Sequence, residues 1–274
     1  MSTDRDFATE LRGSEAERLD ALERLTRESA APLSDDAIGA LIACLGSVSK
    51  TVQRRAAEAI AALASRDDRL LLAVRAALSS ESAQARWGAA YALGAIDGAL
   101  GMESAEALLE ALADHDSDVR WSAVELLGRL CRIHPREVAA RLMRRAHDGS
   151  AVARRMALYC LRDYGTASAD LLALLDSAAA DSDVFLRLAA LSALAKLFAR
   201  SDASGDAAAI ALRALESDAD AGVRRSAAAA LGQLASPARG VTDALGRSAA
   251  QTADPSLARA AKTALANLSG SRDG

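Results

Sequence analysis

Apolar side chains recur in short stripes, standing three, six or seven, and ten positions after a reference residue, with charged or small polar residues between the stripes. That spacing is one face of an amphipathic helix about four turns long. The clearest copy is DVRWSAVELLGRL, residues 118–130, and it recurs as QARWGAAYALGAI, VARRMALYCLRDY, FLRLAALSALAKL and GVRRSAAAALGQL, with weaker copies TVQRRAAEAIAAL and SLARAAKTALANL. Taking as reference the residue ten before each last apolar position gives Gln53, Arg86, Arg120, Arg154, Arg187, Arg224 and Ala258, at spacings of 33, 34, 34, 33, 37 and 34. A degenerate copy, EAERLDALERL, puts a further reference at Glu15. The pattern predicts eight helical hairpins filling the chain.

A shorter helix is predicted before each long one, as in DDAIGALIACL, AEALLEALA, EVAARLMRRA and DLLALLD. Gly46, Gly98 with Gly101, Pro135, Gly165, Gly205 and Pro237 read as breakers between the segments. No segment shows strand alternation over a useful length. One hairpin cannot bury its own stripe, so stacking on neighbours must build the core. Composition agrees: 51% of the 274 residues are apolar, but 69 are alanine and only 3% aromatic. Small side chains favour helix and let helices pack closely in thin layers. The expected organisation is an N-terminal helical cap over 1–30, one continuous repeat domain over 31–270 and a frayed tail at 271–274. Leu11, Leu19, Leu22 and Leu25 form the stripe with which the cap covers the first full repeat.

The repeat template D-x-D-x-x-V-R-x-x-A-x-x-x-L-G-x-L resembles the HEAT repeat, and the wording RW-x-A-A-x-A-L-G is most similar to the HEAT-like repeats of phycobilin lyases. The resemblance covers roughly residues 34 to 269. It implies an all-α fold, a right-handed α-solenoid of about seven to eight hairpins.

Six residues before the reference arginine stand Asp114, Asp148, Asp181 and Asp218, in the repeats that carry Arg120, Arg154, Arg187 and Arg224. The repeats without the arginine carry Ser47 and Thr252 there, and only the Arg86 repeat departs, with Ser80. A carboxylate in each turn paired with the arginine of the next helix would form a ladder along the stack. HEAT repeats use Asp and Arg in this way, so the resemblance implies a structural role for all eight residues.

Catalytic chemistry is scarce. The three histidines, His115, His134 and His147, belong to no metal or nucleophile motif, and no glycine-rich phosphate loop is present. Cys44, Cys131 and Cys160 have no pairing pattern and read as small buried hydrophobes in a reducing compartment. A net charge of −4 argues against a dedicated nucleic-acid binder. No signal peptide and no apolar run of membrane-spanning length is evident. No cofactor or metal, no membrane, a cytoplasmic location and a monomer are expected.

The long helices carry the more informative signal. In HEAT-type solenoids they line the concave face, an orientation the resemblance implies. One position after the reference residue stand Arg54, Trp87, Trp121, Arg155, Leu188, Arg225 and Arg259, and none is acidic. One turn further stand Glu58, Tyr91, Glu125, Tyr159, Ser192, Ala229 and Thr263. Four of the eight aromatics thus fall at these two positions of the middle three repeats. Trp87, Tyr91, Trp121, Glu125, Arg155 and Tyr159, flanked by Arg54, Arg225 and Arg259, form a candidate binding patch of the residue types that dominate binding hot spots. The alternative for the tryptophans is packing between neighbouring helices.

The reading that follows is a non-enzymatic scaffold or adaptor that binds another protein, or an acidic or aromatic-bearing peptide segment, on its concave face. Two alternatives come from resemblance. Similarity to phycobilin lyase repeats implies chromophore handling, and the set Trp121, Glu125 and Arg155 is similar in kind to the groove of HEAT-like DNA glycosylases.

Overall fold

A computed structural model of the chain describes residues 7–28, 32–96, 98, 100–234 and 239–270, and among these residues no strand occurs. The first long helix is α1 (Glu15–Glu28), preceded by a helical turn at 7–10. Seven hairpins follow: α2 (Asp35–Cys44) with α3 (Lys50–Ala64), α4 (Asp68–Ala77) with α5 (Ala83–Ala95), α6 (Ala105–Ala111) with α7 (Ser117–Ile133), α8 (Pro135–Asp148) with α9 (Ala151–Tyr164), α10 (Ala169–Ala179) with α11 (Val184–Phe198), α12 (Ser204–Ser217) with α13 (Ala221–Leu234), and α14 (Arg239–Ala249) with α15 (Pro255–Gly270). A short 3-10 turn, Met102–Ser104, leads into α6. The fold is all-α, an α-solenoid built of helical hairpins.

Each long helix starts in the same way. The residue four before the reference, Ser49, Ser82, Asp116, Ser150, Asp183, Asp220 or Asp254, accepts a bond from a backbone N–H of the first turn. This N-cap satisfies a donor the helix would otherwise leave open, and it fixes where the helix begins. The residue two earlier holds the turn, because Ser47, Ser80, Asp114, Asp181 and Asp218 each accept the N–H of the capping residue.

The capping pattern corrects the reference in α1. Ser14 caps that helix, accepting the Glu17 N–H at 3.3 Å while Glu17 reaches back to the Ser14 N–H at 2.7 Å. Counting four on from the cap places the reference at Arg18 rather than Glu15, a spacing of 35 to Gln53. The helix then shares the core feature of all the others. Three positions after the reference stand Ala21, Ala56, Ala89, Ala123, Ala157, Ala190, Ala227 and Ala261, all buried. Leu11, Leu22 and Leu25 are buried with Ala21, and Leu19 is half-buried.

Of the breakers, Gly98 adopts φ +72°, a conformation that favours glycine, and Gly165 caps α9. Gly205 breaks nothing: it lies in the first turn of α12, where backbone N–H groups need no intrahelical partner. Pro237 and the tail 271–274 lie outside the described residues, as do residues 1–6 and 29–30 of the expected cap.

Chain contacts divide into two compact units, residues 1–134 and 135–274. Within the first, the long helices pack in succession, α1 on α3, α3 on α5 and α5 on α7, with short helix α2 on α4. Within the second, α9 packs on α11, α11 on α13 and α13 on α15, while α8, α10, α12 and α14 form the companion row. Each unit is thus two helical layers deep, and alanine at the contact line lets the backbones approach. At Gly88 of α5 and Gly232 of α13 the approach is closest. A Cβ on Gly88 would overlap the Leu45 carbonyl oxygen, and one on Gly232 would lie 2.7 Å from Ala264 Cα.

Candidate functional site

The Asp–Arg pairs exist, but they run between repeats rather than within one. Arg86 holds the Asp114 carboxylate through Nε and Nη2, the latter at 2.8 Å. Arg154 donates to Asp181 at 2.8 Å, and Arg187 takes Asp218 at 2.7 and 3.0 Å. The arginine that follows each turn binds the turn's carbonyls instead. Arg120 Nη1 donates to the Asp114 and His115 oxygens, and Arg224 Nη1 to those of Asp218 and Ala219. Read between repeats, Ser80 is no exception: it follows a repeat with buried Gln53, whose amide donates to the Leu45 carbonyl at 2.9 Å. Asp148 ends α8, is exposed and pairs with neighbouring His147.

The carboxylates respond as partners of guanidinium groups should. Burial pushes Asp114 and Asp218 up, but Arg86 and Arg187, with the N–H groups of Asp116 and Asp220, outweigh it and hold both below the usual range. At Asp181 the Asp183 N–H bond is the largest influence, and it too lowers the carboxyl.

None of the aromatic or arginine residues one after the reference is buried apart from its neighbours' partial cover. In the first unit Trp87 is half-buried, stacked on Tyr91 with ring centroids 5.4 Å apart, and Lys50 Nζ stands 3.6 Å from its ring centroid. Trp121 is 50% exposed and Tyr91 41%, on the packed helices α7 and α5. Beside them lies a cleft of about 300 Å³ lined by Tyr91, Ser122, Glu125 and Arg129. Arg129 donates to the Gly94 carbonyl, while Glu125 and Arg54 are exposed. The tryptophans are therefore surface groups, with Trp87 the better supported.

In the second unit the equivalent groups are engaged by their own chain. Arg155 lies over the ring of Phe185 at 5.3 Å, and Arg162 over Tyr159 at 5.0 Å. Arg162 also binds Asp163 at 2.9 and 2.8 Å, and Lys196 reaches the same carboxylate at 2.7 Å. These bonds hold the Arg162 guanidinium up and the Asp163 carboxyl down. Arg225 stands 3.9 Å from Asp254, and Arg259 is exposed. The candidate residues thus divide, with Trp87, Tyr91, Trp121 and Glu125 in the first unit and Arg155 and Tyr159 in the second.

Among the described residues no cluster of three or more His, Cys, Asp or Glu is placed to hold a metal ion. All three cysteines are buried, and burial pushes the Cys44 and Cys131 thiols up to about 11. Among the described residues no helix is long and apolar enough to cross a membrane.

The repeat geometry has its counterpart in sequence families. The family model described as HEAT repeats matches residues 38–128 and again 105–195, together more than half of the chain. The chain belongs to the HEAT-repeat family. No curated protein matches it by sequence. Among solved structures, it is similar to an archaeal HEAT-like repeats protein from Thermococcus onnurineus NA1, with 16% identity and a TM-score of 0.53 over 88% of this chain and 98% of that one. It is also similar to yeast importin-β (Kap95p), at 15% identity and a TM-score of 0.64, covering 96% of this chain but 40% of that one. At these identities the likeness is one of fold.

Within the HEAT pattern, two features escaped the sequence reading. The capping residue four before each reference was visible as an unbroken series of Ser and Asp, a preference with a clear cause. Phe185, 59% exposed beneath Arg155, falls two before its reference, outside the positions compared.

Proposed function

We propose that this HEAT-repeat chain is a non-enzymatic scaffold or adaptor that binds another protein through the exposed face of its long helices, the face that the HEAT resemblance implies is concave. The observation that carries the reading is the surface of α5 and α7, where Trp121 is half exposed beside the Trp87–Tyr91 stack and the Glu125 cleft. Large aromatic side chains bury much area at small entropic cost, so they anchor interfaces. Tyr91 and Trp121 are exposed, whereas Arg155 and Tyr159 of the second unit are only partly so, and the main anchor is therefore placed on the first unit. An aromatic or acidic peptide segment would suit Trp87, Trp121 and nearby Arg54 through stacking, cation–π and charge contacts. Yeast importin-β supports the reading as a neighbour of like fold, since Kap95p is solved as a binder of RanGDP.

The test is affinity capture from native lysate with the wild-type chain and a Trp87→Ala, Trp121→Ala variant, whose fold is checked by circular dichroism. A protein retained by the first and lost by the folded second supports the scaffold. Equal retention by both overturns the site. Salt-sensitive DNA binding or bilin-dependent absorbance in the captured material would replace the reading by its nucleic-acid or phycobilin-lyase alternative.

A further inference from the structure

Two clefts in the second unit lie beside arginines at the same place in successive repeats. The first lies beside Arg187 and holds about 360 Å³, with the Asp218 carboxylate seated on the Nε–Nη2 edge of the guanidinium. The next, one repeat on, holds about 540 Å³ and is lined by Ser217, Asp218, Arg224, Arg247, Ser248 and Gln251 among others. Arg224 is fixed as Arg187 is. Its Nη1 donates to Asp218 O at 2.7 Å and Ala219 O at 3.0 Å, where Arg187 Nη1 donates to Asp181 O at 2.8 Å and Ser182 O at 3.2 Å.

For Arg187 this arrangement leaves Nε and Nη2 facing the carboxylate of the following repeat. For Arg224 the matching position is Thr252, six before Ala258, a short neutral side chain that is exposed. The other charges at the cleft are engaged. Arg247 pairs with Glu216 at 2.6 Å, and the Asp218 carboxylate serves Arg187 and the Asp220 N–H; outside the cleft, Asp254 caps α15 and stands 3.9 Å from Arg225.

We propose that Arg224 and this cleft form a carboxylate-binding site, in which a ligand carboxylate occupies the place that Asp218 fills beside Arg187. A planar carboxylate matches the two parallel N–H groups of a held guanidinium. Ser248 and Gln251 supply further polar groups in the same cleft, while the Ser217 hydroxyl already donates to the Arg213 carbonyl at 2.7 Å. The nearby Asp218 carboxylate disfavours a doubly charged phosphate, so a single negative charge is the better match. The carboxylate comes either from an acidic side chain of a partner protein or from a free organic acid.

The test follows the Arg224 Nε–Hε NMR signal of the whole chain, assigned by its loss in Arg224→Lys. Sodium acetate and a blocked dipeptide bearing one Asp side chain are titrated against sodium chloride at equal ionic strength. The expected result is a saturable shift with the carboxylates, absent in Thr252→Asp, whose built-in carboxylate also raises the melting temperature by about 2–4 °C. Tenfold tighter binding of the dipeptide than of acetate assigns the site to a partner's side chain, and equal binding assigns it to small organic acids. The proposal is overturned if chloride gives the same shift, if Thr252→Asp responds to acetate as the wild type does, or if that substitution fails to raise the melting temperature.

Discussion

The Asp218 carboxylate accepts both Nε and Nη2 of Arg187 from the preceding repeat, at 2.7 and 3.0 Å, and also the N–H of Asp220 in its own turn at 2.8 Å. Arg187 in turn holds the Asp181 carbonyl of its own repeat. Each member therefore bonds within one hairpin and across to the next, so the pair fixes the spacing of two turns at once. The side chains are only 8% and 14% exposed, which separates this pair from the many ion pairs on the surface.

That burial sets the size of the first expected effect. Asp218→Ala leaves the inner edge of Arg187 desolvated and without an acceptor, and should cost about 2–4 kcal/mol. The exposed pair of Arg12 and Asp36 is the control, and Asp36→Ala should cost far less, because solvent screens a surface pair. Urea denaturation of the two variants checks the difference, and equal losses would refute the structural weight given to the pairing between repeats.

Acid should act through the same carboxylates. Asp114, Asp181 and Asp218 are all held below the ordinary carboxyl value. A lowered native value means the stabilisation is complete above the unfolded value of about 4 and is lost as pH falls through the native one. The melting temperature should therefore drop below about pH 4, and the drop should be shallower in a chain carrying Asp114→Asn, Asp181→Asn and Asp218→Asn. A parallel decline of both proteins would show that other groups govern acid unfolding.

The fold was legible because a long-helix pattern repeated eight times averages out local ambiguity, and the alanine and leucine positions recur at a nearly fixed spacing. Direction of pairing was not. A one-dimensional comparison finds that Asp and Arg occur together, but Asp114 stands six residues from Arg120 and 28 from its true partner Arg86, and only the packed turns distinguish them. The misplaced reference at Glu15 arose because α1 ends in Glu28, where the other long helices carry an apolar residue; the cap at Ser14 was the better guide. The aromatic and arginine positions were readable as a pattern, yet engagement of Arg155 by Phe185 depended on a residue outside it.

Close helix approach gives a test of the packing itself. Gly88→Ala and Gly232→Ala place a methyl group against the Leu45 carbonyl oxygen and 2.7 Å from Ala264 Cα, and backbone atoms cannot turn aside. Each should destabilise by about 1–3 kcal/mol through overpacking. Gly246, inside α14 with nothing within 4 Å of the added Cβ, should respond oppositely. Gly246→Ala should stabilise by about 0.5–1 kcal/mol, because alanine suits a helix interior. Thermal melts of the three variants decide the matter by sign alone.

The cysteines should be silent in the native state. Cys44 and Cys131 are buried, their thiols are pushed up to about 11, and the Cys44 thiol donates to the Leu11 carbonyl at 3.5 Å. Reaction requires an accessible thiolate, and neither condition is met at neutral pH. An aromatic disulfide reagent should therefore label these two only as fast as the chain opens, with the full count appearing in denaturant. Rapid labelling of native protein would mean that the helices near Leu11 or Cys131 open far more easily than their packing implies.

The two tryptophans should separate stability from binding. Trp87 is half-buried against Tyr91 and Lys50, so Trp87→Ala removes packing as well as surface and should cost about 1–2 kcal/mol. Trp121 is 50% exposed on α7, so Trp121→Ala should change stability by no more than about 0.5 kcal/mol. Iodide should quench the fluorescence of Trp121 more strongly than that of Trp87 in single-tryptophan chains, which checks exposure without any partner. If Trp121 carries binding, its loss then weakens partner capture about tenfold or more while the melting curve stays in place. A Trp121→Ala chain that melts early would instead make that residue a packing element of α7.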